Sequence, residues 1–415
     1  MRIRYLSVDT IVYFLSILFF SFIYIFDSNP LVSIILFFIS VLIFAISAYR
    51  NRFNICLNLG YFHLFILCFS VFCFCSALWG NNSSLAIEKG ITIFELLICM
   101  SMLYAVYTNL KSDDILLRII AYGGSLVSLY CFSFFGFSGI MSFINSGIRM
   151  ENTIANANDI GMIASISSII LLYYFFNIER KIIYPLLAVV NFLVVAACGS
   201  RKALILICLG IIFLFLSRVR TKNILKKIFG IIIVVFIGML VIKVVLSLSI
   251  FDSINERMEG LVAFITGNGS VDSSTLKRYK LVEEGIAAFM SHPILGVGIG
   301  NARYYCSMGY TYLHNNYVEL LACGGIVGFI IYYMPYMYLI SQFYKNRAYL
   351  NEYSIMILFI LSGVIMMDYG SVSYYSKSTY FFLMVCFLHL NNLKDYVLKQ
   401  KNTIKKNSYE ESSFK

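Results

Sequence analysis

Residues 228–242, "IFGIIIVVFIGMLVI", decide the class of fold. Their apolar residues do not alternate with polar ones, so a membrane barrel, built from ~10-residue alternating strands, does not fit. A continuous uncharged run of this kind reads as a helix in lipid, where ~20 apolar residues cross ~30 Å of hydrocarbon. Similar runs recur from end to end. The 415 residues are 60% hydrophobic and 13% charged, with a mean hydropathy of +0.83. Soluble domains carry about 25% charged residues. The chain is therefore read as an all-α polytopic membrane protein.

Twelve spans are expected, at 10–26, 31–49, 61–79, 91–109, 115–137, 159–177, 182–198, 202–217, 227–250, 315–343, 353–368 and 378–393. They give an organisation of nine helices in 1–250, one long connection at 251–314, three further helices in 315–393, and a polar tail at 394–415. The first run, in "MRIRYLSVDTIVYFLSILFFSFIYIF", follows a basic start without a small-residue cleavage site, so it reads as a retained helix.

Basic residues set the orientation. With both termini in the cytoplasm, inner loops and tails hold twenty lysines and arginines and the short outer loops hold five: Lys89, Arg149, Arg201, Lys202 and Lys377. The long connection then lies outside. Arg118 and Lys243 sit near enough to span ends to snorkel. The formal charge of +11 is accounted for by this loop bias, and no nucleic-acid partner is expected. Eight of the eleven cysteines lie in or beside apolar runs, where cysteine acts as a small hydrophobe. No Cys/His set has zinc spacing and no DxD motif occurs, so neither a metal nor another cofactor is expected.

The exterior arginines Arg149, Arg201, Arg278 and Arg303 run against the orientation preference. Arginine suits bidentate phosphate recognition; lipid-headgroup contact or a salt bridge to Glu283 or Glu284 is the plainer alternative. Arg201 opens a helix in "ACGSRKALI" (197–205). Arg278 and Lys280 sit in "STLKRYKLVEEGIAAFM" (274–290), an expected amphipathic surface helix. "GVGIG" (296–300) lacks GxGxxG spacing and a βαβ setting, so it reads as a glycine-rich bend rather than a dinucleotide loop. "HPILG" before it reads as a turn. His63 and His389 read as packing or interfacial residues. "YLHNNYVELL" (312–321) differs, placing His314 at the outer rim where a new helix begins. Histidine moves protons near neutral pH, although a hydrogen-bonded interfacial histidine is the simpler reading. Asn315 and Asn316 read as helix caps. Glu319, five residues past His314, is off its helical stripe and is expected to pair with an arginine.

These motifs carry a resemblance. "RYKLVEEGIAAFMSHPILGVGIGNARYY" (278–305) followed by "HNNYVELLACGGIVGFIIYY" (314–333) resembles the O-antigen ligase and polymerase superfamily of bacterial polysaccharide assembly. "GSRKALI" (199–205) looks like its "GSRxAxL" element. "ENTIANANDIGMIASI" (151–166) resembles its "NPNxxA" segment, with Ala157 in place of the proline. The resemblance implies a GT-C-like, metal-independent glycosyltransferase of the bacterial plasma (inner) membrane. Donor and acceptor would be oligosaccharides on undecaprenyl diphosphate, within membrane lipid and with a chain-length regulator as a possible partner. Arg201 and Arg278 would contact the diphosphate, and His314 would act as base or position the acceptor. Arg149, Arg303, Lys280, Glu319 and Asn315 are weaker candidates. Gly324, Gly325 and Gly328 would let their helix pack closely.

Polymerase and ligase share this architecture. The Phe-, Ile-, Tyr-, Lys- and Asn-rich composition and the idiosyncratic sequence between motifs favour a serotype-specific polymerase, with ligase the alternative. A transporter or flippase would show related halves and mid-membrane polar residues, and neither is visible here.

Overall fold

The computed structural model describes all residues except 1–7, 26–30, 54, 56–58, 111–112, 147–149, 151–153, 155, 219–229, 231, 233–272, 308, 310 and 414–415. The described elements are helices: α1 (Val8–Ile25), α2 (Leu31–Arg50), α3 (Tyr61–Ser76), α4 (Ser83–Leu110), α5 (Asp113–Ser146), α6 (Ala157–Tyr173), α7 (Ile183–Cys198), α8 (Arg201–Arg218), α9 (Ser273–Ser291), α10 (Asn316–Lys345), α11 (Glu352–Met367) and α12 (Lys377–Ser413). Eleven of the twelve expected spans fall on these helices. The other, 227–250, lies almost wholly outside the described residues. Among the described residues five helices are long and apolar enough to cross a membrane, and α1, α3, α7 and α11 are apolar but shorter. The last helix continues well past residue 393 into the expected tail.

Position in the bundle follows from which faces are apolar. On α2, Leu31, Ile34, Phe37 and Phe38 are exposed on the surface of the bundle, as residues facing lipid would be. On α6 almost every residue is buried, and the helix packs against α5, α7 and α8. Its serines make that possible. Ser165 Oγ donates to the carbonyl of Ala203 at 2.9 Å and Ser167 Oγ to that of Ile120 at 3.0 Å. Small hydroxylated residues let helix backbones approach and spend their polar groups on a neighbour's carbonyls.

Consecutive helices joined by short connections run antiparallel, which gives the bundle two faces. One gathers the connections around 77–82, 199–200, 292–315 and 368–376, and is called here the site face. The opposite face carries an ion network. Arg118 binds Asp114 at 2.6 Å, Glu179 at 3.0 Å and the hydroxyl of Tyr184 at 3.0 Å. Arg118 is thus a bonded residue rather than a snorkelling one. Two expected packing histidines have local partners. His63 Nδ1 accepts from the N–H of Gly60 at 3.1 Å, and His389 Nε2 lies 2.8 Å from Ser354 Oγ.

Candidate functional site

The site is built around a turn that ends in a cap. Asn315 Oδ1 accepts from the N–H groups of Tyr317 (3.0 Å) and Val318 (3.3 Å), satisfying donors at the start of α10. Glu319 is buried and accepts from the N–H of Leu313 at 2.8 Å. It therefore buttresses the turn instead of forming the expected ion pair, with Lys89 and Arg303 in electrostatic reach of its carboxylate. Between these anchors His314 adopts φ +54°, the left-handed region that non-glycine residues rarely enter. Such strain persists only where the surroundings impose it. The ring lies against Tyr312, with centroids 4.3 Å apart. Burial, with the charges of Arg278 and Lys202 behind it, pushes the His314 imidazole down to about 4.

His314 faces a cavity of about 600 Å³ that Arg278, Tyr312 and Lys377 also line. Asn156 to Asp159, at the start of α6, form one wall, and the strap 370–377 between α11 and α12 forms another. Two more cations stand behind the strap. Lys89 Nζ lies 4.1 Å from the centre of the Tyr375 ring, and Lys202 lies directly over Gly370, where any Cβ would collide with it. The result is a polar bowl with four cations in or just behind its wall.

The motifs "ANAND" and "GSRK" are joined. Gly199 ends α7 in the left-handed conformation (φ +55°), so the chain reverses at once into α8. Ser200 Oγ then donates to Asn158 Oδ1 at 3.0 Å. This seats Arg201 and Lys202 in the first turn of α8, on the site face.

The glycine bend is likewise a joint. Gly325 interrupts α10 with φ +59° and ψ −164°. There the chains exchange backbone bonds: Val297 N–H to Ala322 O and Gly298 N–H to Cys323 O, both 2.9 Å, and Ile326 N–H to Pro293 O, 2.9 Å. Gly296 and Gly325 approach so closely that a Cβ on either would overlap the other strand's backbone. On its far side the bend is pinned to the α3–α4 connection, where Asn82 N–H donates to Asn301 Oδ1 at 2.8 Å. Gly324 and Gly328 pack against Phe72, in line with the close packing expected of them, whereas Gly325 is a break.

Arg278 and His314 are thus brought together, with Asn315 as the cap that fixes the turn. Arg201 occupies the same face but, among the described residues, is not part of the cavity wall. Arg303 sits half-buried on the turn Asn301–Tyr305 near Glu319. Lys280 is exposed on α9, and Glu284 holds Ser307 rather than an arginine. Arg149 lies outside the described residues. Sequence reading missed the strap, with Lys377 and the buried Asp368. Its signal was present in "DYGSVSYYSKST" (368–379), a second polar stretch between two apolar runs. It also misread Asn316, which caps nothing. Asn316 Oδ1 accepts from the N–H groups of Ser373 (3.0 Å) and Tyr374 (3.1 Å), tying α10 to the strap.

These features define a helical membrane protein with a cationic cavity at one face, a strained histidine in it and a glycine joint beside it. The family model described as O-antigen ligase matches residues 186–333, the stretch from α7 through most of α10. Over that stretch the chain is similar to the O-antigen ligase family, in agreement with the resemblance carried by its motifs. The matched span contains Arg201, Arg278, the glycine bend and His314. No curated protein matches the chain.

Proposed function

We propose that this protein is a polymerase of a bacterial surface polysaccharide, O-antigen or capsule. It moves the growing glycan from undecaprenyl diphosphate to the next lipid-linked repeat unit, at the outer face of the plasma membrane. One observation carries the reading: His314 and Arg278 line a single cavity. The orientation with both termini cytoplasmic rests on the twenty-to-five bias of basic residues and turns that cavity outward.

The reaction needs few parts. A hydroxyl oxygen of the acceptor sugar attacks the anomeric carbon as the bond from that carbon to the phosphate oxygen breaks. The electron pair leaves with the diphosphate, and Arg278, helped by Arg201, neutralises the charge that develops there. No metal is needed for that role. The hydroxyl proton passes to His314. An imidazole held neutral by neighbouring cations is ready to accept a proton, and the bound diphosphate offsets those cations, raising its basicity as substrate arrives.

The similarity of residues 186–333 to O-antigen ligases favours a second reading, transfer of the finished glycan to a lipid A core. A gel profile of surface and lipid-linked glycans after deletion of the gene from its host separates the two. Surface lipid bearing a single repeat, with the ladder lost, means polymerase. Unmodified core lipid, with long glycan stranded on undecaprenyl diphosphate, means ligase. Complementation with His314→Ala or Arg278→Ala should insert a protein that restores nothing; full restoration by both overturns the site.

A further inference from the structure

We propose that a small hydroxyl-lined pocket beside the bowl, between α6, α11, α12 and the strap, holds a neutral hydroxyl-bearing substituent of the sugar next to the reacting bond, and so selects which glycan is transferred. This rests on the transferase reading of the bowl and adds a determinant of its specificity. The pocket has a volume of about 50 Å³ and shares Asp159, Ser371, Val372 and Ser376 with the wall of the bowl. A single water needs about 10–15 Å³. The pocket therefore takes a group of a few heavy atoms, a hydroxyl or hydroxymethyl, and excludes a whole sugar ring.

Its lining suits hydroxyl groups. Ser371, Ser376, Ser378 and Thr379 bring hydroxyls to it. Ser371 Oγ donates to the carbonyl of Met367 at 2.9 Å, and the hydroxyls of Ser376 and Ser378 lie 2.9 Å apart. A serine oxygen that already donates keeps lone pairs with which to accept a sugar hydroxyl's proton. Ser373 has a different task. It donates to Asp368, which Tyr333 and Asn316 also hold, and this set fixes one side of the pocket. Asp159 and Asp368 are the charged residues among those lining the pocket, whereas Arg278, His314 and Lys377 line the bowl. A diphosphate is thus drawn to one compartment and repelled from the other, and a neutral hydroxyl is not. A pocket built to bond a hydroxyl rejects an analogue without it, because its own polar groups are then left unpaired.

The test uses the full chain in nanodiscs with two ligands: the lipid-linked glycan that accumulates in the gene-deletion strain, and undecaprenyl diphosphate carrying no sugar. The ratio of their dissociation constants measures what the sugar contributes and cancels any change in diphosphate binding common to both. Ser371→Leu fills the pocket, and Asp159→Asn keeps its shape while removing a strong acceptor. Each should cut the ratio roughly tenfold, the effect of one hydrogen bond. Asp159→Asn, close in size to the original, stands as the second variant should Ser371→Leu fail to fold. An unchanged ratio overturns the pocket. A glycan blocked at its non-reducing end can serve only as donor; if it keeps the sensitivity to both variants the substituent is the donor's, and if it alone loses it the substituent is the acceptor's. No transfer by the unmodified protein, with the ratio still falling in the variants, would sink the transferase reading and leave the pocket standing. Transfer with an unchanged ratio would do the reverse.

Discussion

Asn316 and Asp368 hold each other at two levels: the N–H of Asn316 donates to the carbonyl of Asp368 at 2.8 Å, and Nδ2 of Asn316 reaches Asp368 Oδ2 at 3.3 Å. Tyr333 donates to the same carboxylate oxygen at 2.8 Å. Two adjacent asparagines thus divide the work at the start of α10, Asn315 capping the helix and Asn316 joining it to the strap. Loss of Asn316 would leave Tyr374 N–H, Ser373 N–H and Asp368 short of partners in a buried place, at a cost of about 2–4 kcal/mol. Asn316→Ala should therefore lower the thermal midpoint in detergent well beyond Asn315→Ala, for which a lost cap costs about 1 kcal/mol. Equal shifts would refute this division.

The pH dependence of transfer tests the neighbours of His314. An ordinary histidine base loses activity as the pH falls through ~6.5. Here burial and the charges of Arg278 and Lys202 hold the free enzyme's imidazole down to about 4, so the acid limb of kcat/KM should lie near 4. Removing one cation raises the imidazole, because protonation no longer meets that repulsion. Lys202→Gln, which leaves in place the arginines proposed to bind the diphosphate, should move the acid limb to higher pH. An acid limb that stays put, or moves down, rejects the electrostatic account.

The helical class and the pairing of Arg278 with His314 could be read from the chain because both depend on local pattern: long uncharged runs, and motifs at the ends of those runs. The strap could not. Lys377 and Asp368 are unremarkable polar residues until α11 and α12 carry them to α6 and α10, and their environment is made by helices far away in sequence. Glu319 was misassigned for a similar reason. Helical spacing places it off the stripe of His314, but its carboxylate folds back to the N–H of Leu313, a contact across the cap that spacing along the helix does not describe. Gly325 looked like a packing glycine, and only its φ of +59° reveals a break.

That break supplies the next expectation. An alanine at position 325 would be strained at φ +59°, and its Cβ would overlap the carbonyl of Ile294. Backbone strain of this kind costs about 1–3 kcal/mol before any collision is counted. Gly325→Ala should therefore loosen the joint between the bend 293–298 and α10, seen as faster proteolysis or hydrogen exchange in 292–305. Gly309→Ala, at φ +68° but with open space around it, isolates the backbone term and should have the smaller effect. Matching protection in both variants would argue against the joint.

The network on the opposite face should affect stability without affecting chemistry. Arg118 is held by Asp114, Glu179 and Tyr184, and Tyr174 adds a hydroxyl bond to Asp114 at 2.9 Å. The side chains of Arg118 and Glu179 are 20% and 31% exposed, so solvent screens the pair in part and the loss stays below that of a fully buried pair. Arg118→Ala should cost about 1–3 kcal/mol, read as a lower thermal midpoint and a lower yield of inserted protein. Turnover per folded molecule should remain that of the unmodified protein, since α5 carries this network at one end and the cavity lies at the other. Asp114→Ala should be similar, and the double variant should cost less than the sum, because each single change already removes the shared bond. A fall in turnover per folded molecule would mean that the two faces are coupled through α5 and α6, and the separation of a structural face from a chemical one would have to be given up.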